Sequence, residues 1–352
     1  MNNLNSEHRF IPFETAGAIQ QHGNESWQES SIKKALSESI IKSNHRQGST
    51  ATAIQEVIAD LIRILEEQGS GNARKQLRLL GNYLRIDSHQ STQAKEFIKQ
   101  LTWGIDAGAL DNSCSGEKEA TQAVMSFLEQ RSQGRRLIAF DVGANSGDWT
   151  LQIANTTRSI DIHSFEPNKD LGKVLVHALQ DYQGEGSEIK AFVNMFGIYS
   201  TTGKQVLYIN GDSSEQATLS NDASRGCFEN SIYSQEIKTL RGDEYCAAKG
   251  IGSIDYLKID TEGTELEVLI SFGKMIEDAS IGFIQFEYGN ASFYTGASMM
   301  RFFEVLGKNY FLARILPEGL QVAANYNSSL ETFKWCNYLA VHASYKDFLD
   351  LQ

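Results

Sequence analysis

The residues best placed to do chemistry in this chain follow short apolar runs. The first such run is LIAFDVGANSGDW, from Leu137 to Trp149. It reads as a buried strand, a glycine turn and a helix beginning near Gly147. Gly143 and Gly147 permit a tight turn and a close backbone approach. The helix N-terminus beyond them offers free N–H groups and the positive end of a dipole, which suits a carboxylate and a phosphate equally. The spacing is G-x-N-x-G, whereas dinucleotide sites use G-x-G-x-x-G. Asn145 stands where a second glycine would admit a pyrophosphate. Asp141 puts a carboxylate at the mouth of the strand, where an ammonium group would be welcome and a pyrophosphate would not.

The next strand ends in Phe165, Glu166 and Pro167. Glu166 lies about twenty residues past the turn, the place from which an acid accepts hydrogen bonds from ribose hydroxyls. A third run, IDYLKIDTEGTELEVL from Ile254, reads as a strand ending at Asp260 and then a helix. Ligands bind at the carboxyl ends of parallel strands, so Asp260 and Glu262 should face the crevice as general base, metal ligands or both. Glu265 and Glu267 read as solvated helix positions. The fourth run, FIQFEYG from Phe283, ends in Glu287, a candidate to orient substrate or complete the acidic cluster. An ammonium and a carboxylate together, as on the methionine end of S-adenosylmethionine, match the first turn. His163 reads as a packed, hydrogen-bonded strand residue and His177 as a solvated helix residue.

These acids need a scaffold that gathers strand ends. Apolar runs at Leu137–Val142, Ile160–Phe165, Ile189–Val193, Ile254–Ile259 and Ile281–Phe286 have helical stretches after several of them. That alternation predicts a doubly wound α/β domain with a mostly parallel sheet. Gln205–Asn210 and Gln235–Leu240 read as extra strands. Upstream, residues 1–50 are polar and read as a loosely ordered arm with a short helix at most. Helical spacing over Thr52–Gln68, Arg74–Ile86 and Thr92–Trp103 predicts an all-helical unit, with a linker near Asp106–Lys118. The expected boundaries are 1–50, 51–118 and 119–352, with a helix opening the last domain over Glu119–Gln130.

The bulk numbers fit this division. The chain has 352 residues, 41% hydrophobic and 22% charged, as a globular protein with a sizeable core requires. A net charge of −12 disfavours nucleic acid as a partner, because phosphates call for a basic face. Cys114, Cys227, Cys246 and Cys336 form no C-x-x-C pair and read as reduced, packed thiols. No apolar run reaches the length of a membrane span, and MNNLNSEHRF lacks a signal core, so a cytoplasmic location is expected.

Taken in order, FDVGANSGDWT, SFEPNKD, IDYLKIDTEGTELEVL and FIQFEYG resemble the FkbM family of class I methyltransferases. Weaker matches run through FVNMFGIYSTTGKQVLYIN and NYLAVH, so the likeness spans about 135–342. Gly197, beside the bulky Phe196, departs from the family's third-strand segment. The resemblance implies a Rossmann-like seven-stranded sheet and methyl transfer from S-adenosylmethionine, usually to a hydroxyl oxygen, as in tailoring of polyketides, peptides and glycans. It implies that Asp141, Gly143, Asn145 and Gly147 hold the methionine portion, Glu166 the ribose, and that Asp260 and Glu262 lie at the reacting end. The helical unit lies outside the likeness. It is free to cover the acceptor pocket, to form a homodimer, or to dock a carrier that presents a hydroxylated substrate. A need for a divalent metal is left open. The rival readings are an NAD-dependent oxidoreductase on the same topology, a noncatalytic S-adenosylmethionine-binding scaffold and an RNA methyltransferase.

Overall fold

The computed structural model describes residues 8–13, 115–157, 159–181, 188–211, 213–228, 232–316 and 319–350. All of them fall in one compact unit formed by 1–19 and 103–352. The expected helical unit over 51–118 lies outside the described residues except at 115–118, as does the arm over 1–50 except at 8–13.

Those first residues hold a strand, β1 (His8–Pro12), that no local pattern announced. A helix follows at α1 (Glu117–Ser132), which buries Val124, Met125, Phe127 and Leu128. Then come the alternating elements: β2 (Leu137–Val142), α2 (Asp148–Thr156), β3 (Ser159–Phe165), α3 (Lys169–Asp181) and β4 (Glu188–Asn194). β5 (Gly197–Ile198), β6 (Gly203–Asn210), β7 (Ser213–Thr218), α4 (Asn221–Cys227) and β8 (Ile232–Leu240) make an insertion. The main fold resumes with α5 (Gly242–Lys249), β9 (Ile254–Ile259), α6 (Glu265–Ser271), α7 (Gly273–Glu277) and β10 (Ile281–Tyr288). It closes with α8 (Asn290–Thr295), α9 (Met299–Leu306), β11 (Tyr310–Leu316), β12 (Gly319–Ala323) and β13 (Cys336–His342).

The main sheet has nine strands in the order β1-β12-β11-β13-β10-β9-β2-β3-β4. β4 through β10 run parallel, and β13 is antiparallel to both its neighbours. Seven strands, β4 to β11 in that order, form the doubly wound sheet expected from the sequence, and β12 and β1 extend one edge. The strands alternate their side chains between two cores. Phe140 and Val142 face one with Leu257, Ile259 and Phe286. Leu137 and Ala139 face the other with Tyr256, Phe283 and the α1 residues Phe127 and Leu128. Strand order reverses between β2 and β9, and a crevice opens there at the strands' carboxyl ends.

The two extra strands form as expected but belong to a separate sheet, β5-β8-β6-β7. β1 joins the main sheet antiparallel to β12 and buries Ile11. Such pairing is set by a partner some three hundred residues away in sequence, not by local periodicity. Cys227, Cys246 and Cys336 are free thiols, and Cys114 lies outside the described residues. Among the described residues no helix is long and apolar enough to cross a membrane.

Candidate active site

Both turn glycines have a left-handed backbone, with φ of 84° at Gly143 and 100° at Gly147. A Cβ at Gly143 would lie 1.7 Å from the Asp260 carbonyl oxygen, and one at Gly147 2.2 Å from Leu175 Cδ1. The close approaches these glycines permit are therefore to the protein itself, and they clamp the turn against the end of β9 and against α3. Asn145 is left-handed as well, with φ of 51°, and its Oδ1 accepts the Ser146 N–H at 2.6 Å.

Asp141 closes β2 and is fully buried. Its Oδ2 accepts the Thr150 hydroxyl at 2.6 Å, while Oδ1 has no hydrogen-bond partner. Burial raises its carboxyl above the ordinary value against the opposing pull of Lys258. Glu166, also buried, accepts the Asn168 N–H at 2.7 Å and the Asn145 N–H at 2.8 Å. The acid of the second strand is thus tied to the turn of the first. Burial pushes its carboxyl up to about 7 in spite of those bonds.

At the end of β9, Lys258 Nζ lies 2.9 Å from Asp260 Oδ2 and 3.7 Å from Glu117 Oε1. Burial opposes the Lys258 charge, but Asp260, Glu117 and Asp141 outweigh it and raise the ammonium above its ordinary value. Asp260 lies deep in the crevice yet keeps 35% of its side chain exposed to the crevice space. Burial would raise its carboxyl, but Lys258 and a hydrogen bond from Glu287 hold it low. Glu287 itself is raised well above the carboxylate range by burial and by Asp260, Glu262 and Glu265, so it is the protonated partner that donates to Asp260. Glu262 has φ of 53°, and burial with the Asp260 and Glu265 charges pushes its carboxyl up to about 8. A left-handed glutamate is strained by about 1 kcal/mol or more, and such strain collects at functional sites.

Glu265 corrects the sequence reading. It is 1% exposed, not solvated. Its Oε1 accepts N–H groups from Thr261 at 2.8 Å and Gly263 at 3.1 Å, and the Thr261 hydroxyl at 3.1 Å. It builds the turn that displays Glu262. Lys258 and Glu117 were not singled out from the sequence. Lys258 carried a signal: it is a lone cation in a six-residue strand buried throughout, and it shares a face with Asp260. Glu117 carried none, since α1 reaches the crevice only through tertiary packing. His163 is packed as expected, 2.7 Å from the Tyr245 hydroxyl, and His177 is exposed.

A cleft of about 560 Å³ collects these groups. Asp141, Gly143, Asn145, Glu166, Asp260, Glu262 and Glu287 all line it; Gly147 does not. Leu207, Gln216, Ala217 and Leu219 of the inserted sheet and its exit form one wall, with Ile198 and Gly197. Among the described residues no group of three or more His, Cys, Asp or Glu is arranged to hold a metal ion.

No curated protein matches the chain in sequence. The methyltransferase FkbM of Methylobacillus flagellatus KT resembles it in structure at 15% identity and a TM-score of 0.35, over 67% of this chain and 60% of that one. This chain therefore spans less than two thirds of that protein's length. Precorrin-6y C5,15-methyltransferase of Geobacter metallireducens GS-15 aligns at 12% identity and a TM-score of 0.33, over 66% and 94% of the two chains. Magnesium protoporphyrin IX methyltransferase of Synechocystis PCC 6803, solved with bound SAM, aligns at 9% and 0.33, over 65% and 80%. The family model described as the methyltransferase FkbM domain matches residues 141–310, which hold the glycine turn, Glu166, Asp260, Glu262 and Glu287, and over that segment the chain is similar to that family.

Proposed function

We propose that the cleft binds S-adenosylmethionine and serves methyl transfer to a hydroxyl oxygen of a small molecule, natural product or glycan, free or tethered to a carrier. The observation that carries the cofactor assignment is the unpartnered Asp141 Oδ1, buried yet on the cleft lining. A buried acceptor without a partner costs on the order of 1–3 kcal/mol, so the fold leaves this atom for a ligand donor. The residues fit the group. Asp141 suits an ammonium, the α2 N-terminus a carboxylate, and Glu166 two ribose hydroxyls. Bound there, S-adenosylmethionine supplies a methyl group activated by its positive sulfur.

The protein's own part is alignment and proton removal. Asp260 is held ionised by Lys258 and Glu287, so it is suited to accept a hydrogen bond from the acceptor hydroxyl and orient it. Glu262, raised to about 8, is the better matched proton acceptor, because a base works best with a pKa near the operating pH. The strand-end cluster thus divides into an anchor and a base.

Calorimetric titration with S-adenosylhomocysteine, run beside Glu166→Ala, tests the cofactor. Micromolar binding weakened about tenfold, on the order of 1.4 kcal/mol, is expected. No binding by the intact wild-type fold would overturn the proposal and favour a dinucleotide. An Asp260→Asn protein with full transferase activity would remove the anchor.

A further inference from the structure

Glu117 belongs to α1, ahead of the matched family segment, and its carboxylate lines the same cleft as Asp141. It is held there by a built relay. The Tyr256 hydroxyl, fully buried, donates to Gln285 Oε1 at 2.5 Å, which turns the Gln285 amide so that Nε2 donates to Glu117 Oε1 at 2.9 Å. Ser115 Oγ accepts the Glu117 N–H at 3.2 Å and fixes the start of the helix. None of these partners is a cation. The ion-pair partner of Glu117 is Lys258, at 3.7 Å, whose short contact goes to Asp260 at 2.9 Å.

The charge balance then points to a ligand. Asp141, Asp260 and Glu117 surround a single Lys258. Burial raises the carboxyls of Asp141 and Glu117 above their ordinary values, so a second positive group beside them would favour their ionised forms. Asp141 Oδ1 is buried and unpartnered, and Asp141 lines the same cleft. Two carboxylates from different elements, one on β2 and one on α1, thus line a cleft whose buried cation, Lys258, gives its short contact to Asp260.

We infer that Glu117 is a cofactor-binding residue that, together with Asp141, takes the α-ammonium of the amino-acid end of the cofactor. This rests on the S-adenosylmethionine reading. The α1 helix then completes a site that the matched domain leaves open on one side, and the Gln285 amide orients the carboxylate without neutralising it. Glu117 would discriminate in favour of ligands that carry the amino-acid end.

The test compares S-adenosylhomocysteine with methylthioadenosine, which keeps the nucleoside and lacks the amino-acid end, by calorimetric titration of the full chain. Glu117→Gln is expected to weaken S-adenosylhomocysteine by about tenfold or more, as for a lost bond between charged groups, and to leave methylthioadenosine within about twofold. Equal weakening of both ligands, or of neither, overturns the inference. A wild-type chain that binds neither ligand sinks the cofactor reading itself. Should Glu117→Gln fail to fold by circular dichroism, Glu117→Asp keeps the charge and withdraws it by one methylene. Its ratio of the two affinities should still fall, and an unchanged ratio overturns the inference.

Discussion

Lys258 and Asp260 stand two residues apart at the end of β9, on one face of the strand, and their charges meet at 2.9 Å on the cleft. Across the β2–β9 pair, Asp141 is in register with Lys258, so the same ammonium also stands beside the buried carboxylate of the glycine turn. The cation joins the two halves of the cleft, the proposed cofactor side and the proposed acceptor side, at the point where the strand order reverses.

Removing that cation should therefore hurt both halves. Lys258→Met leaves Asp141, Asp260 and Glu117 without their shared partner, and loss of one member of a buried pair costs on the order of 3 kcal/mol. Urea unfolding should show the loss, with a further fall in S-adenosylhomocysteine affinity. Asp260→Asn should cost less, because Lys258 keeps Glu117 and because Asp260 retains 35% exposure. A Lys258→Met protein as stable as wild type would show that the ion pair contributes nothing.

Stability should fall as pH rises from 5 to 8. The carboxyls of Glu166 and Glu265 are raised from 4.5 to about 7, and that of Glu262 to about 8. A raised folded value means that the folded chain binds more protons than the unfolded chain across that window. The resulting stability is present in full below 4.5 and is lost as pH passes through about 7 to 8. Asp260, held low, works the other way, but its loss lies below the acid end of the window. Thermal unfolding midpoints of the ligand-free chain should decline between pH 5 and 8. A steady rise would contradict the burial of these acids.

Glu265 should matter more than its neighbour Glu267. Glu265 Oε1 takes two backbone N–H groups and a hydroxyl from the turn after β9. Glu265→Ala strands these donors in a buried place, at a cost on the order of 2 kcal/mol, and frees Glu262 from its left-handed conformation. Glu267 is half-buried on the same helix with no such bonds, and Glu267→Ala should shift stability little. Denaturant midpoints of the two variants decide it; equal losses would refute the special role of Glu265.

The legible and illegible parts of this chain divide along physical lines. The parallel strands and their terminal acids could be read because a strand buried on both faces is mostly apolar, as β2 and β9 are, and because a crevice must lie where such strands end. Asp141, Glu166, Asp260, Glu262 and Glu287 were found on that ground, and one cleft collects them. Glu265 was misread because an acid in the first turn of a helix is commonly solvated and serves the dipole. Here it turns back onto the preceding turn, which no spacing reveals. β1 and Glu117 were beyond reach for a shared reason: each acts through a partner far away in sequence, β12 for one and Lys258 for the other.

On the proposed function, Asp260 and Glu262 set the pH dependence of catalysis. Asp260 is held low by Lys258 and Glu287, so it is ionised throughout the working range and contributes no titration near neutrality. Glu262 is raised to about 8 by burial and by the charges of Asp260 and Glu265, so at pH 7 it is largely protonated and unable to take a proton. If Glu262 is the base, kcat should climb roughly tenfold per pH unit below about 8 and level off above it. Glu262→Gln should remove the climb and leave a low, pH-independent rate, while binding of S-adenosylhomocysteine changes little, because the proposal puts Glu262 on the acceptor side. Measuring kcat from pH 6 to 9 for both proteins, once an acceptor is in hand, separates the roles. A climb that survives Glu262→Gln moves the proton acceptor to another group, and one abolished only by Asp260→Asn would assign that role to Asp260.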